Sequence, residues 1–567
     1  MKKFILMICL FLGLVNPLSA ISRDCHIEGI CWDYIIIGNG TAGAVLARKL
    51  TDCNFRVLVL EAGVNQDTDP VVLTASGSTL FADLNQLTFN PKYAVTYTIN
   101  AFNPLEYTIY SEGRGWGGSS KHNYLEVIRG TPSIYDQWAV LSGNPNFSYN
   151  NSLPLMLALE NYTPCQSTIN TAQRGVGGPI SVTQQVPVTS DPLAQILAAG
   201  TGAGFISDIN DPTDVSTTGH LNLGFSAYQL FATANGACNI GQRSFSSNSF
   251  LPPSIVTPNG KGLCGRTLRI ESNAFVSKIL FSGCRATGVE FIYGCNADRI
   301  LTARARNVIL CAGSVNSPAI LQRSGIGNPA ILGPLGIKTL VANPNVGANL
   351  ANQYGPTMIA LGTTNAQPFL QGFINASGVT TPAGFAYPND NTRRIQFAAL
   401  QLAPGVVEII SFILDPNSRG NIQIVSTNPL VQPLINLNMY SDGSVTTSGT
   451  DANLAVATYY LLQQSLGAAN VIFPSTAQFD TPETLLQAAQ SLSGLTIADH
   501  ITATCRMSTS IESGVVDSNF NVFGTENLKV VDASVIPLLP DGNICYGVYV
   551  MALQAAKSLG LRVPPAL

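Results

Sequence analysis

Apolar residues along this 567-residue chain fall into short unbroken runs separated by turn-forming stretches. The first run, Phe4 to Val15, follows Lys2 and Lys3 and gives way to a small-residue "LSA" ending at Ala20. Crossing a bilayer takes roughly 20 consecutive apolar residues, so this run has the layout of a cleavable secretory signal over residues 1–20. Cleavage near Ala20 predicts a secreted or periplasmic protein, and no later stretch offers a long charge-free helix, so no membrane span is expected in the mature chain. The next run, "DYIII" at 33–37, reads as a strand; it enters the turn "GNGTAG" and then an Ala/Leu-rich helix. A second strand, "FRVLVLEAG" at 55–63, follows, and "RNVILCAGSV" at 306–315 reads as a buried strand running into a small-residue turn. "DANLAVATYYLLQQSLGA" at 451–468 is helical in pattern, whereas 156–229 and 331–494 hold short strands broken by Pro, Gly and Asn.

The strand–turn–helix–strand order at the mature amino terminus has a chemical meaning. Its turn spells G-x-G-x-x-G at Gly38, Gly40 and Gly43. Gly38 permits the tight turn, Gly40 lets backbone approach a pyrophosphate, and Gly43 allows helix and strand to pack closely. The phosphates then face the unpaired N–H groups and positive end of the helix. Glu61, at the end of the second strand, stands where a carboxylate accepts the adenosine ribose hydroxyls. The turn at Gly117, Gly118, Ser119 and Ser120 can bring backbone donors close to a flat ring.

Composition narrows the field. The length predicts two domains or one large composite. With Lys2 and Lys3 removed, 27 basic residues face 33 acidic ones, too acidic a balance for a nucleic-acid partner. Of 12 cysteines, Cys9 leaves with the signal, so at least one thiol stays free; Cys25 with Cys31 and Cys238 with Cys264 are the pairs to test first. No Cys/His spacing fits zinc, and no metal site is expected. Sequons stand at Asn146, Asn150, Asn161 and Asn375.

Four separated motifs carry a resemblance. They are the glycine fingerprint, "GRGWGGSSKHNYLEVIRGTPSIYD" (113–136), "GSVNSPAILQRSGIG" (313–327) and the tail "HITATCRM…GVVDSNFNVFGTENLKVVDASVIPLLPDGN" (500–543). In this order they resemble the glucose-methanol-choline (GMC) oxidoreductases, which are FAD enzymes. The resemblance implies an α/β fold, with an FAD-binding Rossmann-like domain and an interleaved α+β substrate domain built on an antiparallel sheet. The FAD domain is expected in three parts, 31–155, 230–330 and 495–567, the last with the catalytic residues, and the substrate domain in two, 156–229 and 331–494. Carried over position by position, the FAD contacts implied are Gly38, Gly40, Thr41, Ala42, Gly43, Glu61, Ala62, Arg114, Gly117, Gly118, Ser119, His122, Asn123, Val276, Asp532 and Ala533.

The resemblance also implies a reaction, in which an alcohol is oxidised to a carbonyl by hydride transfer to flavin N5. A neutral alcohol does not readily expel hydride, so a base must take the hydroxyl proton, and histidine is the default near neutral pH. His500 matches the family's catalytic histidine, and Asn543 matches the second residue that faces the substrate, where it can donate to the developing oxyanion. His122 stands where the family usually has an aliphatic residue, and a choline-oxidising member carries the same His-Asn pair with the histidine bonded to the flavin. His122 is therefore the expected covalent anchor for FAD. Val127 replaces an aromatic, Ala503 a glycine, and Asn352–Gln353 an Asp-His pair; the last two put the histidine loop and an FAD contact in question. Tyr124 and Glu126 flank the flavin loop and read as solvated or packing residues, outside the site. The sequence carries no trace of the electron acceptor, whether oxygen, quinone or cytochrome, nor of the alcohol. Two other readings share the fold: a hydroxynitrile lyase that holds FAD without net redox chemistry, and a structural particle component, which only 11% charged residues would suit.

Overall fold

The structure is a computed structural model of the full chain, and it describes residues 32–75, 87, 90–102, 107–165, 169–236, 238–294, 299–366, 370–375 and 393–563. The expected signal segment, Cys25, Cys31 and the side chain of Asn375 lie outside the described residues.

In chain order, β1 (Trp32–Ile37) leads through the glycine turn into α1 (Thr41–Asp52), followed by β2 (Val57–Glu61) and the hairpin β3 (Ala94–Asn100) and β4 (Tyr107–Gly113). Next come β5 (Leu268–Ser272), β6 (Ala274–Ser282), β7 (Arg285–Tyr293), β8 (Ile300–Leu310) and the helix α2 (Gly313–Arg323). Then come β9 (Tyr354–Leu361), β10 (Leu370–Asn375), β11 (Arg394–Ala403), β12 (Val406–Ile413), α3 (Asp451–Leu466), β13 (Leu528–Val530) and α4 (Ile544–Ser558).

The first sheet runs β5-β2-β1-β8-β7-β6, with β13 on the carboxy-terminal half of β8. β5, β2, β1, β8 and β13 are parallel neighbours, and β7 and β6 continue the sheet antiparallel. Strands covered on both faces read as continuous apolar runs rather than alternating ones, and β2, "VLVLE", is buried along its whole length. α1 packs on this sheet through Ala44, Val45, Leu46, Ala47 and Leu50, none of them exposed.

The second sheet is antiparallel throughout. Its order is Val471–Phe473, β9, β12, β11, β10 and Gly224–Ser226, with Leu495–Ile497 also on β9. Its own core is backed by α3, whose Thr450 hydroxyl caps the first turn by accepting from the Asn453 N–H. The β3–β4 hairpin lies within the expected 31–155 segment but pairs with Leu434–Asn436, in a sheet that also holds Asn421–Gln423.

The cysteine pairing differs from the expected one. Cys238 is bonded to Cys165, and Cys264 is free and exposed. Cys165 follows the strand Glu160–Thr163, which pairs with Ile180–Gln184, and the Thr183 hydroxyl on that strand donates to the Ala232 carbonyl at 2.8 Å. Ala232 begins the hairpin that carries Cys238, so the sheet brings together two cysteines 73 positions apart. Among the described residues no helix is long and apolar enough to cross a membrane.

Candidate active site

The site is built outward from the glycine turn. Gly38 has φ +97°, and a Cβ there would sit 2.4 Å from the Cys311 carbonyl oxygen; one on Gly43 would sit 2.0 Å from the Gly38 carbonyl oxygen. Neither position tolerates a side chain, which is what close packing of β1, α1 and β8 requires. Gly40 caps α1 without a side-chain hydrogen bond, and the first turn holds no acidic residue, so the helix amides and positive pole are left for an anion. Gly118, with φ +50°, backs onto Gly40: a Cβ on Gly118 would lie 2.8 Å from the Gly40 Cα. This contact joins two loops far apart in sequence into one wall.

Glu61 ties that wall together. One carboxylate oxygen accepts from the Asn39 N–H at 2.8 Å, and the other from the Gly63 and Gly115 N–H groups at 2.8 and 3.0 Å. A carboxylate has about four acceptor positions, so little more than one is left over for a ribose hydroxyl. The residue read as a ribose acceptor is thus also the clamp between the two glycine loops.

These loops open on one cavity of about 950 Å³. Its walls include Gly38, Gly40, Thr41, Ala42, Glu61, Ala62, Arg114, Gly118, Ser119, His122, Asn123, Val276, Asp532 and Ala533 from the expected cofactor set, and both His500 and Asn543. Gly43 and Gly117 stand behind the wall: Gly43 supports the turn, and the Gly117 carbonyl accepts from the Ser120 hydroxyl. The volume, the bare helix amides and the Gly40–Gly118 cradle fit an extended dinucleotide. The buried Ser314 hydroxyl on the same wall also has no protein partner.

His500 and Asn543, 43 positions apart, meet at the other end, where Asn543 Nδ2 lies 3.5 Å from His500 Nε2. The tautomer of His500 follows from its far side. Gln353 Nε2 donates to the Leu414 and Pro540 carbonyls at 3.0 and 2.8 Å, which fixes the orientation of that amide. Its Oε1, 2.7 Å from His500 Nδ1, can only accept, so Nδ1 carries the hydrogen and Nε2 presents its lone pair beside Asn543. Asn352 completes the mount by accepting from the His500 backbone N–H at 3.0 Å. The Asn-Gln pair that replaces Asp-His therefore seats the histidine. Ala503, in place of glycine, keeps the left-handed backbone with φ +65°, so the loop retains the turn that a glycine would allow.

Burial sets the charge states. It holds His500 down to about 4 and His122 also to about 4, so both imidazoles are neutral near pH 7. His122 lies within 3.4 Å of the Ser119 carbonyl through Nδ1 and of the Ser111 hydroxyl through Nε2. Burial pushes three wall carboxyls the other way: Asp499 up to about 7, Glu126 to about 7 and Glu112 to about 8. Asp532 is also raised by burial, against hydrogen bonds from Ser317, Ser534 and the Gly313 N–H.

Two residues read as outside the site are on its wall. Glu126 is 7% exposed and accepts from Gln396 Nε2 at 2.7 Å; Tyr124 lines the same cavity. The available signal was position: Glu126 lies four residues beyond His122, on the segment that leaves the flavin loop. Gln353 stood out only as a departure from an Asp-His pair, expected to bear on an FAD contact, whereas its oxygen meets His500 Nδ1.

Residues 32–355 and 416–552 match the amino- and carboxy-terminal models described as GMC oxidoreductase. The chain is 29% identical over 566 residues to an oxygen-dependent choline dehydrogenase of Serratia proteamaculans, covering 94% of this chain and 96% of the relative. It is 31% identical over 582 residues to one of Pseudomonas aeruginosa, covering 94% and 95%. Among solved structures, pyridoxine 4-oxidase from Mesorbium loti superposes with a TM-score of 0.75 at 23% identity, over 94% of this chain and 99% of that one, a likeness of fold.

Proposed function

The chain belongs to the GMC oxidoreductase family of FAD-dependent enzymes acting on CH–OH groups, and we propose that His500 is the base that takes the proton from an alcohol as it is oxidised to the carbonyl. The observation that carries this reading is the fixed tautomer: Gln353 holds the Nδ1 hydrogen at 2.7 Å, leaving Nε2 unprotonated beside Asn543. FAD, when bound, supplies the hydride acceptor.

The residues that would hold FAD are those of the two glycine loops, with Thr41, Ala42 and the α1 amides at the phosphates and Arg114 and Val276 farther along the wall. His500 receives the hydroxyl proton, and Asn543 donates an N–H to the substrate oxygen as negative charge builds on it. A neutral imidazole is the form that can do this, and burial keeps it neutral over the physiological range. The curated relatives named above are choline dehydrogenases; at this identity the substrate is better argued from the wall residues of this chain.

His122 is proposed as the covalent anchor, on its burial and its place on the wall beside Ser119 and Asn123. Acid precipitation tests it: yellow colour staying with the pellet supports the bond, and colour passing wholly into the supernatant removes it. The base is tested by anaerobic titration of the flavoprotein with a panel of aliphatic, aromatic, sugar and amino alcohols, followed by flavin absorbance. His500→Ala should slow flavin reduction by about a hundredfold to ten-thousandfold. Bleaching that proceeds at the wild-type rate in that variant would overturn the assignment. A flavin that stays oxidised while a cyanohydrin is cleaved would mark a lyase instead.

A further inference from the structure

An asparagine at the head of a helix ordinarily turns its side chain back to accept from the first-turn amides. Asn543 stands at the head of α4 and makes no such bond. Its Nδ2 lies toward His500 instead, and Gln396 Nε2 donates to its Oδ1 at 3.3 Å. The loop before it, 540–542, has to hold that side chain away from its own helix.

Asp541 is the hub of that loop. Its Oδ1 accepts from the Thr131 N–H at 2.8 Å, and its Oδ2 accepts from the Thr131 hydroxyl and from Arg394 Nη1, both at 2.6 Å. Both charged groups are buried, and Arg394 is itself aimed: its Nη2 donates to the Asn222 carbonyl at 2.5 Å, and its guanidinium lies 5.1 Å from the centre of the Phe373 ring. A buried ion pair adds little net stability, but breaking it strands a charge, so its geometry is kept. Arg394 and Gln396 are two positions apart on β11, and side chains at that spacing share one face of a strand. One face of β11 therefore grips the loop at two points, Asp541 through Arg394 and Asn543 through Gln396. On the other side the backbone of Gly542 is pressed against Ile128, where a Cβ would lie 2.1 Å from Ile128 Cγ2.

We propose that Asp541 is a positioning residue: anchored to Arg394 and Thr131, it holds the Asn543 amide at His500 rather than at the head of α4. The proposal rests on the alcohol-oxidation reading for the use of that amide, which is to donate to the substrate oxygen, and not for its placement. Asp541 is not on the cavity wall, so it acts only through Asn543. Freed of the ion pair, Asn543 can turn to cap α4, which leaves the helix intact and withdraws the donor from the site.

The test is a double-variant cycle in the flavoprotein: Asp541→Asn, Asn543→Ala and the two together. Flavin reduction is followed by anaerobic stopped flow with ethanol, benzyl alcohol, glucose and choline, using whichever reduces wild type fastest. Loss of an oxyanion donor costs about a hundredfold to a thousandfold, so Asn543→Ala should fall in that range and Asp541→Asn by about tenfold or more, in the limiting rate rather than in Kd. The double variant should be no slower than Asn543→Ala, because nothing remains to be positioned. Losses that multiply in the double variant overturn the proposal, as does a limiting rate for Asp541→Asn within twofold of wild type. A second readout needs no turnover. In protein labelled with 15N-histidine, with the His500 signals assigned from His500→Gln, Asn543→Ala and Asp541→Asn should move the Nε2 resonance the same way. A resonance that Asp541→Asn leaves in place, or that neither variant moves, also overturns the proposal. If no alcohol reduces wild type, the oxidation reading fails by itself and the resonance alone decides the positioning. Should Asp541→Asn lose its flavin, Thr131→Val, which removes the hydroxyl bond to the carboxylate, takes its place in both measurements with the same pattern expected.

Discussion

Replacing Gln353 with methionine isolates the tautomer argument, because the side chain keeps its length and loses both the oxygen and the amide. Two things follow from the contacts. The His500 Nδ1–H loses its acceptor at 2.7 Å, and the Leu414 and Pro540 carbonyls lose their donor. A buried hydrogen bond of this kind is worth about 1–3 kcal/mol when one partner is left unsatisfied. Applied to the balance between the two imidazole tautomers, that is about a fivefold to 150-fold loss of the productive form. The rate constant for flavin reduction by a saturating alcohol, measured by anaerobic stopped flow, should fall by that factor. Flavin content should not change, since Gln353 is not on the cavity wall. The orphaned carbonyls should also lower the melting temperature. A reduction rate within twofold of wild type, in a variant whose melting temperature has fallen, would show that the contact is structural and would refute the tautomer argument.

Other substitutions probe the remaining parts of the frame. Gly118→Ala places a Cβ 2.8 Å from the Gly40 backbone at φ +50°, so the two loops must separate; roughly 1–3 kcal/mol of overpacking should appear as FAD loss on gel filtration. Ala503→Gly relieves a left-handed alanine, at φ +65°, that costs about 1–2 kcal/mol, partly offset by greater freedom in the unfolded chain, so the melting temperature should rise slightly or stay level. The pH dependence of stability follows from the direction of each shift. Raised carboxyls at Glu126, Asp499 and Glu112 mean that the folded state holds more protons than the unfolded one above their ordinary values, and this stability is lost as pH rises through about 7 to 8. Lowered His122 and His500 act oppositely, but only between about 4 and their ordinary value of 6.5. Above 6.5 the carboxyls act alone among these groups, so melting temperature should decline from there to pH 8; a rise would contradict the assigned directions.

What could be read from the sequence was local. Gly38 and Gly43 each answer to a clash with a carbonyl oxygen, and Gly40 lies in contact with Gly118, so the pattern of three carries its own geometry. His500 and Asn543 were reachable only through the motif resemblance, since nothing in a spacing of 43 residues announces a contact. Gln353 was noticed only as a departure bearing on an FAD contact, because its part depends on three distant elements: its amide is oriented by Leu414 and Pro540, and only then does its oxygen meet a histidine 147 positions away. Glu126 was set aside for a similar reason. An acidic residue after a loop is usually solvated, and its burial comes from Gln396 and Tyr228, both supplied by the antiparallel half of the molecule. The cysteine expectation failed on the same ground, because sheet pairing, not proximity in sequence, put Cys165 beside Cys238.

The site also has an inverted order of proton affinities. Burial lowers the imidazole of His500 to about 4 and, against hydrogen bonds from Tyr228, Asn543 and Gln396, raises the carboxyl of Glu126 to about 7. Groups pushed apart in this way are assigned opposite tasks. The imidazole waits unprotonated as an acceptor, yet the proton it takes creates a cation in surroundings that disfavour it. Glu126, one amide away through Asn543, is a carboxylate that can offset that cation without pairing with it beforehand. Direct contact would have raised the affinity of His500 for protons and left it protonated at rest. An intervening neutral amide keeps the base empty before the reaction and still supplies negative potential once it is filled. The same separation leaves the Glu126 carboxylate facing the cavity.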